Sequence, residues 1–226
     1  MHMGQRLAYA VFTTLFISAF ICTQSNTVSA ADGIAPSAAE VNPVKTGEMA
    51  PGFTVRTVDD EPFVFDPMNL DKPVVLITFR GGWCPYCNMH LSELRHVVPE
   101  LKSKGVDVYF LSGDRPELLY ASLKRETQDD IDGLGYTILS DADTSAARAL
   151  GIAFRVDDGI FDYFEEKGRD IDGSSVQQYN ALPVPAVYII DTNGKVTYSF
   201  VEPDYKVRLP SEDLLAAATA VADQNP

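Results

Sequence analysis

A nearly unbroken apolar run, Val74-Val-Leu-Ile-Thr-Phe79, stops at Gly81-Gly82 and passes straight into a helical pattern that starts at Cys84. Such a run reads as a strand buried on both faces, which needs layers of structure above and below it. Leu91, Leu94, Val97, Val98 and Leu101 then recur at helical spacing, and Gly105 closes the helix. Pro99 falls inside that span and is expected to kink it. A buried strand, a two-glycine turn and a helix that opens on Cys84-Pro-Tyr-Cys87 place a cysteine pair at a strand–helix junction, which is a strong redox signal.

The neighbouring segments extend this pattern. Phe53–Thr57 and Phe63–Asp66 alternate around the turn 59–62 and predict a hairpin. Val106–Leu111, Tyr136–Leu139 and Ala186–Ile190 read as further strands, and Lys195–Val201 as a strand after the turn Asp191-Thr-Asn-Gly194. Helices are predicted from Pro116 to about Thr127, from Asp143 or Thr144 to about Leu150, and from Glu212 to about Ala222 with Ser211 as cap. The result is an α/β chain with a central mixed sheet flanked by helices. Residues 156–182 interrupt the order. Asp157 to Gly173 holds seven acids against Lys167 and Arg169, an acidic and partly helical insert. It either walls the groove beside the cysteines or is a solvated excursion.

The first thirty residues differ from the rest. Arg6 precedes an apolar run from Leu7 to about Cys22, and Val28-Ser29-Ala30 ends the segment on small residues. This is the layout of a signal peptide cleaved after Ala30. The apolar run is short of the roughly 20 residues that span a bilayer, so a membrane anchor is the lesser reading. Cys22 follows the bulky Ile21, which disfavours lipidation. Residues 31–47 read as a linker, and the folded domain as 48–226. The protein is thus expected to be exported, periplasmic or secreted, where disulfides persist.

Charge removes one class of function. Lys plus Arg is 18 and Asp plus Glu is 32, a net charge of −14. Nucleic acid would be repelled by such a surface on average. A partner with a basic rim would instead be steered toward it.

Cleavage would leave Cys84 and Cys87 as the remaining cysteines. The free N–H groups at a helix start favour a thiolate at Cys84, and the thiolate is the attacking species. Cys87, one turn on, can close a disulfide with it. Pro85 fits the first turn, where its missing N–H is not needed. Trp83 either shields the pair or is an ordinary packed aromatic. Arg80 either assists the thiolate or forms a surface ion pair. A structural disulfide across so short a loop would remove little unfolded-state entropy. A zinc site needs about four ligands, and beyond the cysteines only His90 and His96 are obvious soft donors.

Several separated motifs agree with one family. Ala50-Pro-Gly-Phe53, Phe79-Arg-Gly-Gly-Trp-Cys-Pro-Tyr-Cys87, Leu139-Ser-Asp141, Val184-Pro185 and Ile190-Asp-Thr-Asn-Gly194 resemble the alkyl hydroperoxide reductase/thiol-specific antioxidant (AhpC/TSA) group, the peroxiredoxin-like proteins of the thioredoxin fold. The resemblance covers roughly residues 48–222. It implies a thioredoxin-like core and a thiol-dependent peroxidase that reduces hydrogen peroxide or organic hydroperoxides. Cys84 would attack the peroxide, Cys87 would resolve it, and a thioredoxin-like or other dithiol would reduce the disulfide. No metal or organic cofactor is implied. Pro185 is expected in a cis peptide beside the cysteines. The chain departs from the family at two places. Gly81 stands where a Thr or Ser usually lies three residues before the reactive cysteine, and Pro183 and Pro185 stand where an Arg usually precedes the later strand. Both departures, with Trp-Cys-Pro-Tyr-Cys, resemble thiol–disulfide exchange proteins. The alternative is therefore an exported thiol–disulfide oxidoreductase acting on protein disulfides.

Overall fold

The computed structural model describes Met1 and residues 33–224; the predicted signal segment therefore lies almost wholly outside the described residues. Among the described residues nine strands and seven α-helices follow in order. The strands are β1 (Phe53–Arg56), β2 (Pro62–Phe65), β3 (Val74–Phe79), β4 (Asp107–Ser112), β5 (Thr137–Ser140), β6 (Ala153–Arg155), β7 (Ala181–Pro183), β8 (Ala186–Ile190) and β9 (Val196–Val201). The helices are α1 (Pro85–Glu93), α2 (Val97–Ser103), α3 (Arg125–Ile131), α4 (Ser145–Ala149), α5 (Gly159–Glu166), α6 (Ser175–Tyr179) and α7 (Ser211–Ala222).

Seven strands form one sheet in the order β2-β1-β5-β4-β3-β8-β9. β3, β4 and β5 run parallel, whereas β8 lies antiparallel to both β3 and β9. This is the mixed sheet flanked by helices expected of a thioredoxin-like fold. β3 is central and wholly buried, as its apolar run demands. Its side chains alternate with the pleat. Val75, Ile77 and Phe79 join the core that contains Leu91 and Leu94, Leu101 of α2 and Leu214 of α7. Val74 and Leu76 join the opposite core with Ala146 and Ala147 of α4. β3 thus has a hydrophobic layer on each side, and its C-terminal end carries the turn to Cys84.

Three predicted details are corrected. The helix after Cys84 breaks at residues 94–96, ahead of Pro99. Pro99 is the third residue of α2, where no intrahelical N–H is needed, so it opens a new helix and does not kink an old one. No helix spans 116–127. A short 3₁₀ turn at Pro116–Leu118 leads to an irregular stretch, and α3 begins only at Arg125. Finally, of the two caps expected for α4, Asp143 Oδ1 accepts from Ser145 N–H (3.0 Å), whereas the side chain of Thr144, whose φ is +63°, makes no cap bond. Asp141, earlier in the chain, accepts from the N–H groups of Ala146 (2.7 Å) and Ala147 (2.9 Å).

Before β1, the chain is tied to the body. Ala35 N–H donates to Ala153 O and Arg155 N–H to Ala35 O, so this segment borders β6. In the 156–182 region α5 and α6 are joined by a loop that Arg115 holds through a paired contact with Asp170. Among the described residues no helix is long and apolar enough to cross a membrane.

Candidate active site

The turn that delivers Cys84 is built for glycine. Gly81 has φ +152°, and a Cβ there would lie 2.3 Å from Trp83 Nε1 and 2.7 Å from Asp114 Oδ1. A Cβ on Gly82 would meet Ser122 Oγ at 2.1 Å. The glycines therefore let the backbone press against β4's following loop and the 119–124 stretch. Asp114 fixes this contact: its Oδ2 accepts from Gly82 N–H (2.7 Å) and Ser122 Oγ (2.9 Å). Burial raises the Asp114 carboxyl above the usual carboxylate range.

Asn88 clamps the other side. Its amide donates to Gly82 O (2.7 Å) and Cys84 O (2.9 Å), and its Oδ1 accepts from Lys124 N–H (2.8 Å). That last bond fixes the start of α3 and helps explain why the predicted 116–127 helix is interrupted. Asp114 and Asn88 were not singled out by sequence pattern. Their spacing from the cysteines is ordinary, and their roles arise only where distant segments meet.

Cys84 is the N-cap of α1 and Pro85 its first helical residue. Both cysteines are buried and unbonded to each other, which is the reduced state. The two thiols are electrostatically opposite. The Cys87 thiol donates to the Cys84 sulfur, and this bond leads a set of influences that bring the Cys84 thiol down to about 6 against the cost of burial. The Cys87 backbone N–H, Arg80 and Arg208 add to the lowering. Cys87 is pushed well up, first by burial and then by its neighbour Cys84. At pH 7 Cys84 is thus mainly the nucleophilic thiolate and Cys87 the protonated thiol.

Arg80 and Trp83 both meet Cys84. The Arg80 guanidinium lies 5.2 Å from the Trp83 ring centroid and 4.7 Å from that of Tyr205. It makes none of the surface ion pairs found among the described residues; it is half-buried cation–π packing beside the thiolate. Trp83 is itself buried and packs edge-on against Phe164 of α5, centroids 4.7 Å apart. The acidic insert therefore reaches the cysteines. Ile160 and Tyr163 of α5, with Tyr86 and Tyr205, line a cleft of about 330 Å³ on which Cys84, Arg80 and Trp83 also open. This cleft is mostly apolar and aromatic, with guanidinium charge beside the sulfur.

Pro185 is not brought into that cleft. Among the described residues all peptide bonds are trans, Val184–Pro185 included, which corrects the expected cis bond. The surrounding backbone groups already have partners. Thr78 Oγ1 donates to Val184 O (2.9 Å) and accepts from Ala186 N–H (2.9 Å). Val184 N–H donates to Ile152 O and Glu202 N–H to Pro185 O. The segment continues from β7 into β8 and has no free polar edge to offer.

Arg208 was absent from the sequence-predicted site. It lies 121 residues from Cys87 in the chain, on the strap 202–210 between β9 and α7, and its Nη2 contacts Cys87 Sγ at 3.5 Å. No local periodicity points to it; the only signal was a cation in a loop preceding the last helix. His90 is buried on α1 with Nε2 unbonded, and burial, helped by Arg208, lowers it to about 4. Among the described residues no group of three or more His, Cys, Asp and Glu is placed to hold a metal ion.

Comparison with known proteins agrees with this geometry. The model of the AhpC/TSA family matches residues 46–199. The chain belongs to the AhpC/TSA family. It is 30% identical to peroxiredoxin Bcp of Escherichia coli over 112 residues, 50% of this chain and 67% of the relative. It is 22% identical over 171 residues to the thiol-disulfide oxidoreductase ResA of Bacillus anthracis, 76% of this chain and 78% of that one. A crystal structure of a peroxiredoxin-like protein from Aquifex aeolicus superposes with a TM-score of 0.57 at 20% identity, covering 80% of this chain and 89% of that one. The AhpC/TSA chain described here is accordingly a peroxiredoxin-like, thiol-dependent oxidoreductase with a redox-active cysteine pair.

Proposed function

We propose that Cys84 is the peroxide-attacking cysteine and Cys87 the resolving one. The observation that carries this is the opposed state of the two thiols: Cys84 lowered to about 6 on an open cleft, Cys87 held protonated behind it. The Cys84 thiolate attacks one oxygen of a hydroperoxide. An S–O bond forms, the O–O bond breaks, and the other oxygen leaves as water or an alcohol after taking a proton. Cys87 then attacks the sulfenic sulfur of Cys84; an S–S bond forms and water leaves. A dithiol donor returns both thiols by exchange.

The supporting residues act as charge and shape. Arg80 and the amides at the start of α1 face the anion that forms at Cys84, in the place a family Thr or Ser would serve. Trp83, Tyr86, Tyr163 and Tyr205 keep bulk water from the sulfur. Pro185 supports the site only indirectly, by accepting Glu202 N–H at the base of the strap. The setting is an exported one, with residues 1–30 as a leader cleaved after Ala30, 31–47 as a leading segment and 48–226 as the thioredoxin-like domain. The physiological reductant is a thioredoxin-like dithiol that reaches an oxidising compartment.

The test is single-turnover oxidation of the reduced mature protein by a small excess of hydrogen peroxide, with Cys84→Ser alongside. Thiol loss far faster than that of a free thiol, and absent in the variant, is expected. Oxidation no faster than that of an ordinary thiolate would favour disulfide exchange, the activity named for the ResA relative.

A further inference from the structure

The strap 202–210 places a cation against the second cysteine, while its charge also reaches the first. Arg208 Nη2 lies 3.5 Å from Cys87 Sγ, and the backbone N–H of Arg80 also bonds the Cys87 sulfur. These donors come from the end of β3 and from a loop far along the chain, and both converge on a fully buried thiol. The strap has few other polar ties to the body. Glu202 N–H bonds Pro185 O at its base, Leu209 is buried at its end, and Arg208 Nη1 is held within the strap by the carbonyls of Tyr205 and Val207. Arg208 Nε is buried without a partner. The Nη1 end thus anchors the guanidinium to the strap's own backbone and aims Nη2 at the Cys87 sulfur.

We propose that Arg208, with the Arg80 amide, forms a thiolate-binding pocket for Cys87 that drives the resolving step. This rests on Cys87 acting as the resolving cysteine. In the reduced protein Cys87 must stay protonated, because its thiol donates to Cys84. In the next step the requirement reverses: Cys87 must give up its proton and attack Cys84 Sγ. The Cys87 S–H bond breaks, an S–S bond forms, and the group on Cys84 leaves with its electron pair and takes up a proton. With a sulfenic acid that product is water; with a mixed disulfide it is a thiol.

The switch follows from which charges face Cys87. They are Cys84 from the turn, Arg208 from the strap, and His90 on the same helix, which burial keeps neutral. The Arg80 guanidinium, packed on the Trp83 and Tyr205 rings, also faces Cys87, behind Arg208, and the Arg80 backbone N–H adds to the lowering. Oxidation or thiolation of Cys84 removes the one negative charge. Arg208 is then the dominant charge at Cys87, and the same fixed cation that was offset before now favours the attacking thiolate.

Two probes test this independently of one another. Hydrogen peroxide should oxidise the reduced protein in two phases, the first dependent on peroxide concentration and the second not. An aromatic disulfide such as 5,5′-dithiobis(2-nitrobenzoate) should release one thiol on attack by Cys84 and a second when Cys87 resolves the adduct. Arg208→Met is expected to slow the second phase at least tenfold with either probe and to raise its pH midpoint by about one unit or more. The first phase should fall by less than about threefold. Arg208→Lys should recover most of the second-phase rate, and it serves as the folded comparison if the methionine variant is unstable. Equal slowing of both phases, or no recovery with lysine, would overturn the proposal. If peroxide gives no fast first phase yet the aromatic disulfide still shows an Arg208-dependent second phase, the peroxidase reading fails and the role of Arg208 stands.

Discussion

Gly81 invites an obvious substitution, Gly81→Thr, which would give the chain the hydroxyl its family usually carries three residues before the reactive cysteine. The structure predicts loss. A Cβ at this position would stand 2.3 Å from Trp83 Nε1 and 2.7 Å from Asp114 Oδ1, well inside any tolerated contact. Neither neighbour yields easily. Trp83 is wedged against Phe164, and Asp114 is buried and bonded to Gly82 N–H and Ser122 Oγ. The φ of +152° adds strain for any side chain. Backbone strain of about 1–3 kcal/mol and overpacking of about 1–3 kcal/mol act together, so about 3 kcal/mol is a conservative expectation.

For a domain of this size each kcal/mol lowers Tm by roughly 2–4 °C, so the reduced variant should melt about 6–12 °C below the parent. Gly81→Ala should show nearly the whole effect, because the clash begins at Cβ. The assay is thermal unfolding of the reduced proteins beside single-turnover peroxide oxidation. A Gly81→Thr protein that melts with the parent and reacts faster with peroxide would refute the reasoning: it would mean that the Trp83–Asp114 contact gives way and the site accepts the family hydroxyl.

Two further outcomes are expected. Alkylation of Cys84 should rise with pH to a midpoint near 6, since the thiolate is the reactive form, and Cys87→Ala should move that midpoint up by removing the bond that leads the lowering; an unchanged midpoint in the variant would show that the Cys87 thiol is not the principal donor. His90 is held neutral at about 4 against an ordinary 6.5, so the unfolded chain binds its proton first and stability is lost as pH falls from 6.5 through 4, by about 3 kcal/mol in all. Urea titrations across that range should show His90→Phe losing less stability than the parent, and parallel curves would count against a buried neutral histidine.

The parts legible from sequence were the local ones. Val74–Phe79 is a two-sided strand because it does not alternate polar with apolar, Thr78 being its one polar residue, and the Gly-Gly turn and Cys84 helix start follow within eight residues. What escaped was set by contacts between distant segments. The 116–127 pattern looked helical, yet Ser122 must lie flat against Gly82 and Lys124 N–H is taken by Asn88. Thr144 looked like a cap, but Asp141 reaches the helix first. Pro185 looked like a cis-proline site because family context was applied to a dipeptide, whereas Thr78, Ile152 and Glu202 satisfy the trans backbone around it. Arg208 could not be found at all without the fold, since nothing within twenty residues of it carries redox chemistry.

The two arginines connect nucleophile to turnover. Arg80 is half-buried, and burial is the first influence lowering its pKa; the charges favouring its cation are Cys84, Cys87 and Tyr205. Arg208 points at Cys87, and the Nε of each guanidinium is buried without a partner. Taking cations out of water is costly unless an anion or an aromatic face compensates. Trp83 and Tyr205 provide the aromatic faces for Arg80, but the anion is the Cys84 thiolate itself. Reduction supplies that anion and disulfide formation removes it. The same two cations that activate Cys84 therefore penalise the Cys84–Cys87 disulfide relative to the dithiol. That bias makes the disulfide easier for an external dithiol to reduce. A pair biased in this way recycles readily, which a peroxidase needs at every turnover and a structural disulfide does not.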